Sequence, residues 1–351
     1  MIGNTEQGNE VIKMDKKTYA EKTNKILETL PEYCQDFIYG KGTETAYSTM
    51  YEYSKDISYF FDWIILNHKD FDELKKEDIS ISDLDNITSD DINNFLVTLG
   101  KNLEKKTLAR KKATLSVLFS YLCEKKGLKK DPIAGSSKVK LEEKELVYLT
   151  DDEQKAFLDC VYHGTGMTNR QLKHHEHYKL RDYVLYSLLL DTGLRVSELT
   201  GISIKDVDIE EFSVCVLRKG GKVETVYYSD LVAELLDMLV SKRKAEGALE
   251  KDPLFVSSSG ERISVRMVEV MTKKYAMLSV PKKADKISPH KMRSSFAMTL
   301  YRKSDNNLLL VQKRLSHKNI TTTNIYAKAA KDEIKNSRNL NAEGKDINPF
   351  A

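Results

Sequence analysis

The chain has few cysteines, no long apolar run and little net charge, and each shortage excludes a class of protein. Its four cysteines are scattered and form no CxxC pair, which excludes that redox or zinc motif and indicates reduced thiols in a cytosolic protein. The longest apolar run, residues 183–190, is far shorter than the roughly 20 residues that a membrane-spanning helix needs. Residues 1–10 are polar and contain no apolar segment, so we expect no secretory signal.

Net charge alone says little, because 56 lysines and arginines nearly balance 53 aspartates and glutamates and leave +3. The distribution of charge says more, since residues 101–130 carry ten basic residues against two acidic ones. Residues 70–91, in contrast, are strongly acidic. A polyanion responds to such a local basic patch. A solvated helix face explains the same run equally well, so composition leaves nucleic-acid binding open.

The length of 351 residues favours two domains. In the first part apolar residues recur at helical spacing, which predicts a small all-helical unit with helices over 16–30, 44–66, 92–99 and 105–126. Residues 129–146 are rich in lysine, proline, glycine and serine, and they predict a basic linker. We therefore expect a disordered segment at 1–14, a helical domain at 15–128 and the linker at 129–146.

A capping box of Thr150 and Glu153 predicts a helix start, so the second domain begins near 147. Its pattern predicts an apolar helix over 181–191 and two strands over 212–217 and 223–228. Gly220 and Gly221 predict a two-residue hairpin turn between those strands. The fold class is thus mainly α with one small antiparallel sheet, in a domain of 147–330 followed by a C-terminal segment of 331–351.

Four segments of the second domain carry residues suited to phosphate chemistry, although none is specific by itself. Arg195 follows the helix-ending Gly193 and has apolar neighbours, where a guanidinium needs partners. The alternative is an ordinary helix ion pair with Glu198. Lys219 and Lys222 lie in the predicted hairpin turn, where lysines are usually solvated, and the P-loop pattern is missing.

The other two segments lie in the C-terminal part of the second domain. A Ser-Pro pair at 288–289 predicts a helix start, and His290 and Arg293 then share one face of the first turn, where phosphate is attracted. A satisfied surface histidine is the alternative. His317 precedes Tyr326 by nine residues, and a tyrosine with apolar neighbours is most often a core residue.

Together, the order and spacing of these segments resemble the tyrosine recombinase superfamily: an arginine within TGLRVSEL, a hairpin lysine, HxxR, and a histidine nine residues before a tyrosine. The resemblance covers essentially the whole chain. It implies a SAM-like helical core-binding domain, a basic linker and a catalytic domain of the tyrosine recombinase fold. The chain is most similar to Xer recombinases of the single-protein XerS type, on its length, its N-terminal helical extension and its Arg-Lys-Gly-Gly-Lys hairpin. Integrases of mobile elements share the same core.

The resemblance also implies a role for each position. Tyr326 would be the nucleophile, and Arg195 and Arg293 would clamp the scissile phosphate. Lys219 would be the general acid, and Lys222 matches a second basic position. The remaining catalytic positions are His290 and His317, the latter in a place held by His or Trp in relatives. Two departures are small: Met292 stands where leucine is common, and Ser316 stands where glycine is common before His317.

These residue types suit phosphoryl transfer without a metal or nucleotide cofactor. Two guanidiniums can hold both non-bridging oxygens, and the motifs lack the paired carboxylates that hold magnesium. The family implies a 3′-phosphotyrosyl intermediate, whose stored bond energy makes ATP unnecessary, and strand exchange through a Holliday junction. It also implies a homotetramer on two inverted-repeat DNA sites, a C-terminal segment 331–351 that packs into a neighbouring subunit, and control by a DNA translocase of FtsK type.

Two further sets of residues carry predictions. Basic side chains expected to contact DNA are Lys106, Arg110, Lys111, Lys112, Lys222 and Arg266. The cluster at 174–177 contains three histidines, but a cluster without cysteine or a second motif favours a solvated connection over a metal site. Two rival functions remain open: a type IB topoisomerase, which shares the chemistry but reseals the original strand, and a DNA-binding protein without catalysis.

Overall fold

The structure is a computed structural model that describes residues 16–42, 45–142, 145–218, 221–317 and 319–337; of 332–337 it describes the backbone alone. The segments predicted to be a disordered N-terminus and most of the C-terminal segment lie outside the described residues. The chain divides into two compact units at 143/144. No helix of the described residues is both long and apolar enough to cross a membrane.

The first unit is all-helical, as its pattern predicts. Its α-helices are α1 (Lys16–Leu27), α2 (Glu32–Gly40), α3 (Tyr47–Asn67), α4 (Ile81–Leu84), α5 (Ser89–Gly100) and α6 (Lys105–Lys125). Thr88 caps α5 reciprocally with Asp91, which is why that helix begins three residues earlier than its apolar residues suggest. Helix α2 was not predicted.

The apolar stripe of α6 forms much of the core of this unit, and Leu115, Leu118 and Phe119 are fully buried there. Ile133 is buried in the same core, so the first part of the predicted linker packs onto the helical unit. Asp56 of α3 is also buried, where a carboxylate needs partners. Those partners are Arg110 and Lys111 of α6, at 2.6 and 2.8 Å.

The second unit surrounds α8 with helices and places one small sheet beside them. Its α-helices are α7 (Asp151–His163), α8 (Asn169–Thr192), α9 (Val196–Gly201), α10 (Asp230–Ala245), α11 (Val265–Ser279), α12 (Pro289–Lys303), α13 (Leu308–Leu315) and α14 (Asn324–Ser337). Helices α7, α10 and α12 all pack against α8. The Thr150–Glu153 capping box that opens α7 is confirmed.

The sheet contains β1 (Val207–Asp208), β2 (Ser213–Leu217) and β3 (Val223–Tyr227) in that order, all antiparallel. The prediction of a two-residue turn was wrong. Leu217 pairs with Val223, and the Arg218 N–H donates to the Lys222 carbonyl at 2.7 Å, so the pairing extends to 218 and 222 and leaves more than two residues between the paired positions; of these, 219 and 220 lie outside the described residues. Strand β1 was not predicted.

The predicted solvated connection at 174–177 was also wrong, because these residues lie inside α8. Thr168 and Gln171 form a capping box that starts the helix at 169, twelve residues before its predicted start at 181. His175 is buried and its Nε2 lies 2.7 Å from the Val161 carbonyl oxygen, so this ring joins α8 to α7. Among the described residues no group of three potential ligands could hold a metal ion.

Candidate active site

The site is built where α8 ends and α9 begins. Gly193 ends α8 in the left-handed conformation, with φ of +64°. A Cβ atom there would lie 2.3 Å from the ring of Phe296 on α12, so only glycine allows this approach. The tight break puts Arg195 at the N-cap of α9, with its side chain 42% exposed.

Arg195 is held by Glu198, one turn into α9. The Glu198 carboxylate accepts from the backbone N–H of Arg195 and from its guanidinium, both at 2.8 Å. Its second charged partner is Arg218, whose Nη1 lies 2.6 Å from Oε2. The predicted i,i+3 pair is thus present, but it forms part of a larger cluster and is not a surface pair, because Glu198 is buried.

Arg293 is 3% exposed and joins three segments of the unit. Its two terminal nitrogens donate to the carbonyls of Gly193 and Leu315, each at 2.5 Å. It thereby ties α12 to the break before Arg195 and to the turn before His317. Burial and repulsion from Arg195 lower the pKa of Arg293 to about 10, so it stays charged at neutral pH.

Tyr326 lies in the first turn of α14 and is 3% exposed. Its ring packs in a small cluster with Phe296 and Leu315, which agrees with the alternative that such a tyrosine is a core residue. Burial raises the pKa of the Tyr326 phenol, and Arg293 and a hydrogen bond with Ser294 offset only part of this. The phenol is therefore neutral in the free protein and needs help to lose its proton.

His317 lies beyond α13, and its Nδ1 is 3.1 Å from the hydroxyl of the buried Thr323. Burial lowers the pKa of His317 from 6.5 to about 4, and Arg293, Arg195 and His290 add to the effect. The ring is therefore neutral above about pH 4 and can donate or accept one hydrogen bond without carrying charge. The same charges place Arg195, Arg293, His290 and His317 within electrostatic reach of one another.

The depressed pKa of His317 makes the free energy of unfolding depend on pH. Because the pKa of His317 is depressed on folding, its contribution is complete above the unfolded value near 6.5 and is lost as the pH falls towards 4. We expect His317→Asn to lose less unfolding free energy than wild type between pH 7 and 4, by about 1 kcal/mol for a half-buried ring. Urea unfolding at the two pH values measures this. His177→Asn, at an exposed position of α8, should behave as wild type; an identical pH response for both variants would contradict the assignment.

Ser316 occupies the turn that precedes His317, with φ of +49°. Glycine adopts this left-handed conformation without strain, which agrees with the glycine that the family resemblance implies here. The Ser316 hydroxyl contacts Glu224 of β3, and Arg218 donates to it at 3.3 Å. Serine thus keeps the turn and adds a link to the sheet.

A comparison of Ser316→Gly with Ser316→Ala isolates the cost of a side chain at this left-handed position. Both variants lose the hydroxyl, but only alanine keeps the strain of a side chain at positive φ. We expect the glycine variant to be more stable than the alanine variant by about 1 kcal/mol in urea unfolding. Equal stability would mean that the turn is not held left-handed in solution.

The other predicted site residues are placed less centrally. His290 lies in the first turn of α12, where the Ser-Pro pair predicts it, and it is exposed. Lys222 is exposed directly before β3, and Arg266 is exposed on α11, 3.4 Å from Glu269. Lys219, the predicted general acid, lies outside the described residues.

The DNA-contact candidates of the first unit differ among themselves. Lys106 is exposed. Arg110 and Lys111 hold the buried Asp56, although Arg110 is still 43% exposed. Lys112 donates to the carbonyls of 136 and 137 at 3.2 and 2.8 Å.

Sequence reasoning missed the residues that hold the site together. Arg218 is 8% exposed and joins Glu198, Glu224 and Ser316, although it sits beside a glycine-rich turn that predicts solvent exposure. Ser294 and Thr323 hydrogen-bond Tyr326 and His317. No residue near Arg218 in the sequence signals its burial or its distant partners.

Two family models match the chain. The phage integrase family matches residues 166–333, which include Arg195, His290, Arg293, His317 and Tyr326. The N-terminal SAM-like domain of phage integrases matches residues 41–126 of the helical unit.

Two relatives that align with 92% of the chain are also tyrosine recombinases. Tyrosine recombinase XerC of Caldanaerobacter subterraneus subsp. tengcongensis is 29% identical over 92% of this chain and 91% of the relative. Tyrosine recombinase XerS of Streptococcus pyogenes serotype M5 is 27% identical over 92% of this chain and 99% of the relative.

A solved structure with the same fold is that of the XerH site-specific recombinase bound to palindromic difH substrate, with a TM-score of 0.66 and 19% identity over 95% of this chain and 91% of that one. The Tn1549 transposon integrase with circular intermediate DNA has a TM-score of 0.62 and 22% identity over 87% and 99%. These structures confirm the predicted mainly helical fold with its small antiparallel sheet. The chain belongs to the tyrosine recombinase family, enzymes of site-specific DNA recombination, and is Xer-like within it.

Proposed function

We propose that Tyr326 breaks one DNA strand by attack on the scissile phosphate and becomes joined to its 3′ phosphate. One observation carries this proposal. Arg293 binds the main chain beside both Arg195 and His317, and it lies within electrostatic reach of the Tyr326 phenol. This arrangement supports a site in which the predicted phosphate ligands act on the same phosphate as the predicted nucleophile.

In this proposal Arg195 and Arg293 hold the two non-bridging oxygens. Arg195 is the more accessible, and its guanidinium gives only part of its donors to Glu198. Each terminal nitrogen of Arg293 donates one N–H to a carbonyl and keeps a second N–H. Fixed guanidiniums in a buried site stabilise the charge that develops on the phosphoryl group without reorganisation.

Two proton transfers complete the step. The phenol must lose its proton as its oxygen bonds to phosphorus, and we assign its acceptor to His290, which lies four residues before the Tyr326 partner Ser294. Phosphate binding adds negative charge near His317, and the neutral imidazole serves as a hydrogen-bond donor to it. The departing 5′ oxygen gains a proton from Lys219. Reversal with a second 5′ hydroxyl rejoins the DNA, and no ATP is consumed.

One experiment distinguishes recombination from topoisomerase activity. A supercoiled plasmid carrying two inverted-repeat sites is incubated with the protein and EDTA, and products are mapped by restriction digestion. We expect inversion or excision between the sites through a Holliday junction. Relaxation of plasmids with and without the sites, with no exchange of partners, would favour the type IB topoisomerase. Site binding without any strand breakage would favour the non-catalytic DNA-binding protein.

The biological role that we propose is Xer-like chromosome dimer resolution. Alignment over 99% of the XerS relative supports it, and integration or excision of a mobile element is the alternative. We further propose a homotetramer on two sites, packing of residues 331–351 into a neighbouring subunit, control by a DNA translocase of FtsK type, and a cytoplasmic, nucleoid-associated location. Deletion of the gene should raise the fraction of cells with unresolved chromosomes in the first case and leave it unchanged in the second.

DNA contacts of the helical unit can be tested by salt dependence. Lys106→Ala should weaken DNA binding and reduce the salt slope of the binding constant by about 1, because one phosphate contact is lost. Arg110→Ala removes a partner of buried Asp56 and should lower stability by about 1–3 kcal/mol. Fluorescence anisotropy at several salt concentrations, with urea unfolding, measures both. An unchanged slope in Lys106→Ala would remove this residue from the interface.

A further inference from the structure

Arg218 is a buried charged residue of the second unit that the proposed mechanism does not use. Its side chain is 7% exposed, and it binds Glu198 at 2.6 Å and Glu224 at 3.2 Å. It also donates to the Ser316 hydroxyl, and its Nε is buried without a hydrogen-bond partner among the described residues. A guanidinium placed in so dry a position costs free energy, which calls for a function.

Glu198 connects Arg218 to the phosphate site. This one carboxylate binds Arg195 through Oε1 and Arg218 through Oε2. With Arg218 present, the charge of Glu198 is shared between two guanidiniums. Without Arg218, the whole charge of Glu198 would fall on Arg195 and would compete with a phosphate for it.

The net charge of the groups around Arg218 also supports a role for this residue at the phosphate site. Burial alone raises the pKa of the Glu224 carboxyl, but hydrogen bonds from Ser316 and Arg218 outweigh it and lower the pKa, so Glu224 is ionised. Arg195, Arg218 and Arg293 together with Glu198 and Glu224 then carry one net positive charge. Removal of Arg218 lowers the net charge of these groups from +1 to zero and weakens their attraction for a phosphodiester anion, although Lys222 near Glu224 remains positive.

The second contact of Arg218 reaches the turn before His317. Ser316 stands between Arg218 and Glu224, and the backbone of the next residue, His317, is fixed by its N–H to the Gln312 carbonyl at 3.1 Å. Strand β3 is therefore attached through one guanidinium to the segments that carry Arg195 and His317.

We propose that Arg218 is a positioning residue of the phosphate site, which acts through Glu198 to keep the Arg195 guanidinium available to the scissile phosphate. This inference rests on the proposed role of Arg195. It requires no contact between Arg218 and DNA.

The test compares two substrates in single-turnover cleavage. Nicked duplexes carry the inverted repeat that the wild-type chain cleaves, with either a phosphate or a neutral methylphosphonate at the scissile position. The methylphosphonate lacks one anionic oxygen, so it depends less on a positive site. We expect Arg218→Met to slow cleavage of the phosphate by about 10- to 100-fold, and the loss to shrink at least several-fold on the methylphosphonate. Arg218→Lys, which keeps the charge, should lie between Arg218→Met and wild type.

Controls separate this inference from the proposed function. Arg243→Met removes a partly buried arginine that has a glutamate partner and whose Nε, like that of Arg218, is buried without a hydrogen-bond partner among the described residues; it should cleave both substrates at wild-type rates. Arg195→Ala should show the same relief on the methylphosphonate. If Arg195→Ala shows no relief, the proposed role of Arg195 fails and this inference fails with it.

Equal losses of Arg218→Met on both substrates, with relief still seen for Arg195→Ala, would overturn the inference alone and leave Arg218 a purely structural residue. Wild-type cleavage by Arg218→Met would overturn it as well. Circular dichroism establishes that each variant is folded. If the methionine variant is not folded, the ratio of the two rates in Arg218→Lys decides between the same outcomes.

Discussion

Replacing Tyr326 by phenylalanine should abolish covalent attachment of the chain to DNA and leave DNA affinity nearly unchanged. The ring is buried in an apolar cluster that phenylalanine fills equally well, so the fold loses only a hydrogen bond with Ser294, worth about 1 kcal/mol. The reaction loses its nucleophile, and a covalent mechanism then falls by more than about 10⁴-fold. Denaturing gels of nicked duplexes after incubation with the protein measure the adduct.

Tyr301→Phe is the matched control for this prediction. Tyr301 is another buried tyrosine of the same cluster, on α12. This variant should form the adduct at the wild-type rate. Equal loss of the adduct in both variants would indicate a packing defect, and an adduct that survives Tyr326→Phe would assign the nucleophile to another residue.

Replacing Arg293 by methionine should damage both stability and cleavage. Two buried carbonyls, of Gly193 and Leu315, lose their donors, and we expect the free energy of unfolding to fall by about 3 kcal/mol. Cleavage should fall by a further factor of about 10²–10³, because a fixed donor to the phosphate is lost. Urea unfolding and single-turnover cleavage, performed well below the unfolding midpoint, measure the two effects separately.

Arg262 offers the control for Arg293. Its guanidinium also donates to two backbone carbonyls, of Thr200 and Ile202, both at 2.9 Å, but it takes no part in the cluster around Tyr326. Arg262→Met should lower stability without a separate loss of cleavage. A folded Arg293→Met protein that cleaves at the wild-type rate would reduce Arg293 to a structural role.

Local sequence signals predicted much of the fold because their physics is local. The capping box at Thr150 uses hydrogen bonds between residues three apart, and the break at Gly193 needs only one left-handed residue. The same signal was present at Thr168, where it marks the start of α8, and the charged stretch that follows it concealed the helix.

The residues that hold the site together could not be predicted in this way, because each of them binds residues that are distant in the chain. Arg218 meets Glu198 from 20 residues away and Ser316 from 98 residues away. Nothing near Arg218 in sequence indicates burial, since Gly220, Gly221 and Lys222 are typical of an exposed turn. The catalytic positions themselves were predicted from the order of the motifs and a family resemblance, not from any single segment.

The most direct test of the central claim identifies the residue joined to DNA. The adduct formed in EDTA on a pool of nicked inverted-repeat duplexes is digested with trypsin, and the DNA-linked peptide is sequenced by mass spectrometry. We predict that the DNA is attached to peptide 319–328 through Tyr326, at the 3′ phosphate of the cleaved strand, with a free 5′ hydroxyl on the other fragment. DNA attached to another peptide, attachment at a 5′ end, or an adduct that forms only with a divalent metal would contradict the account.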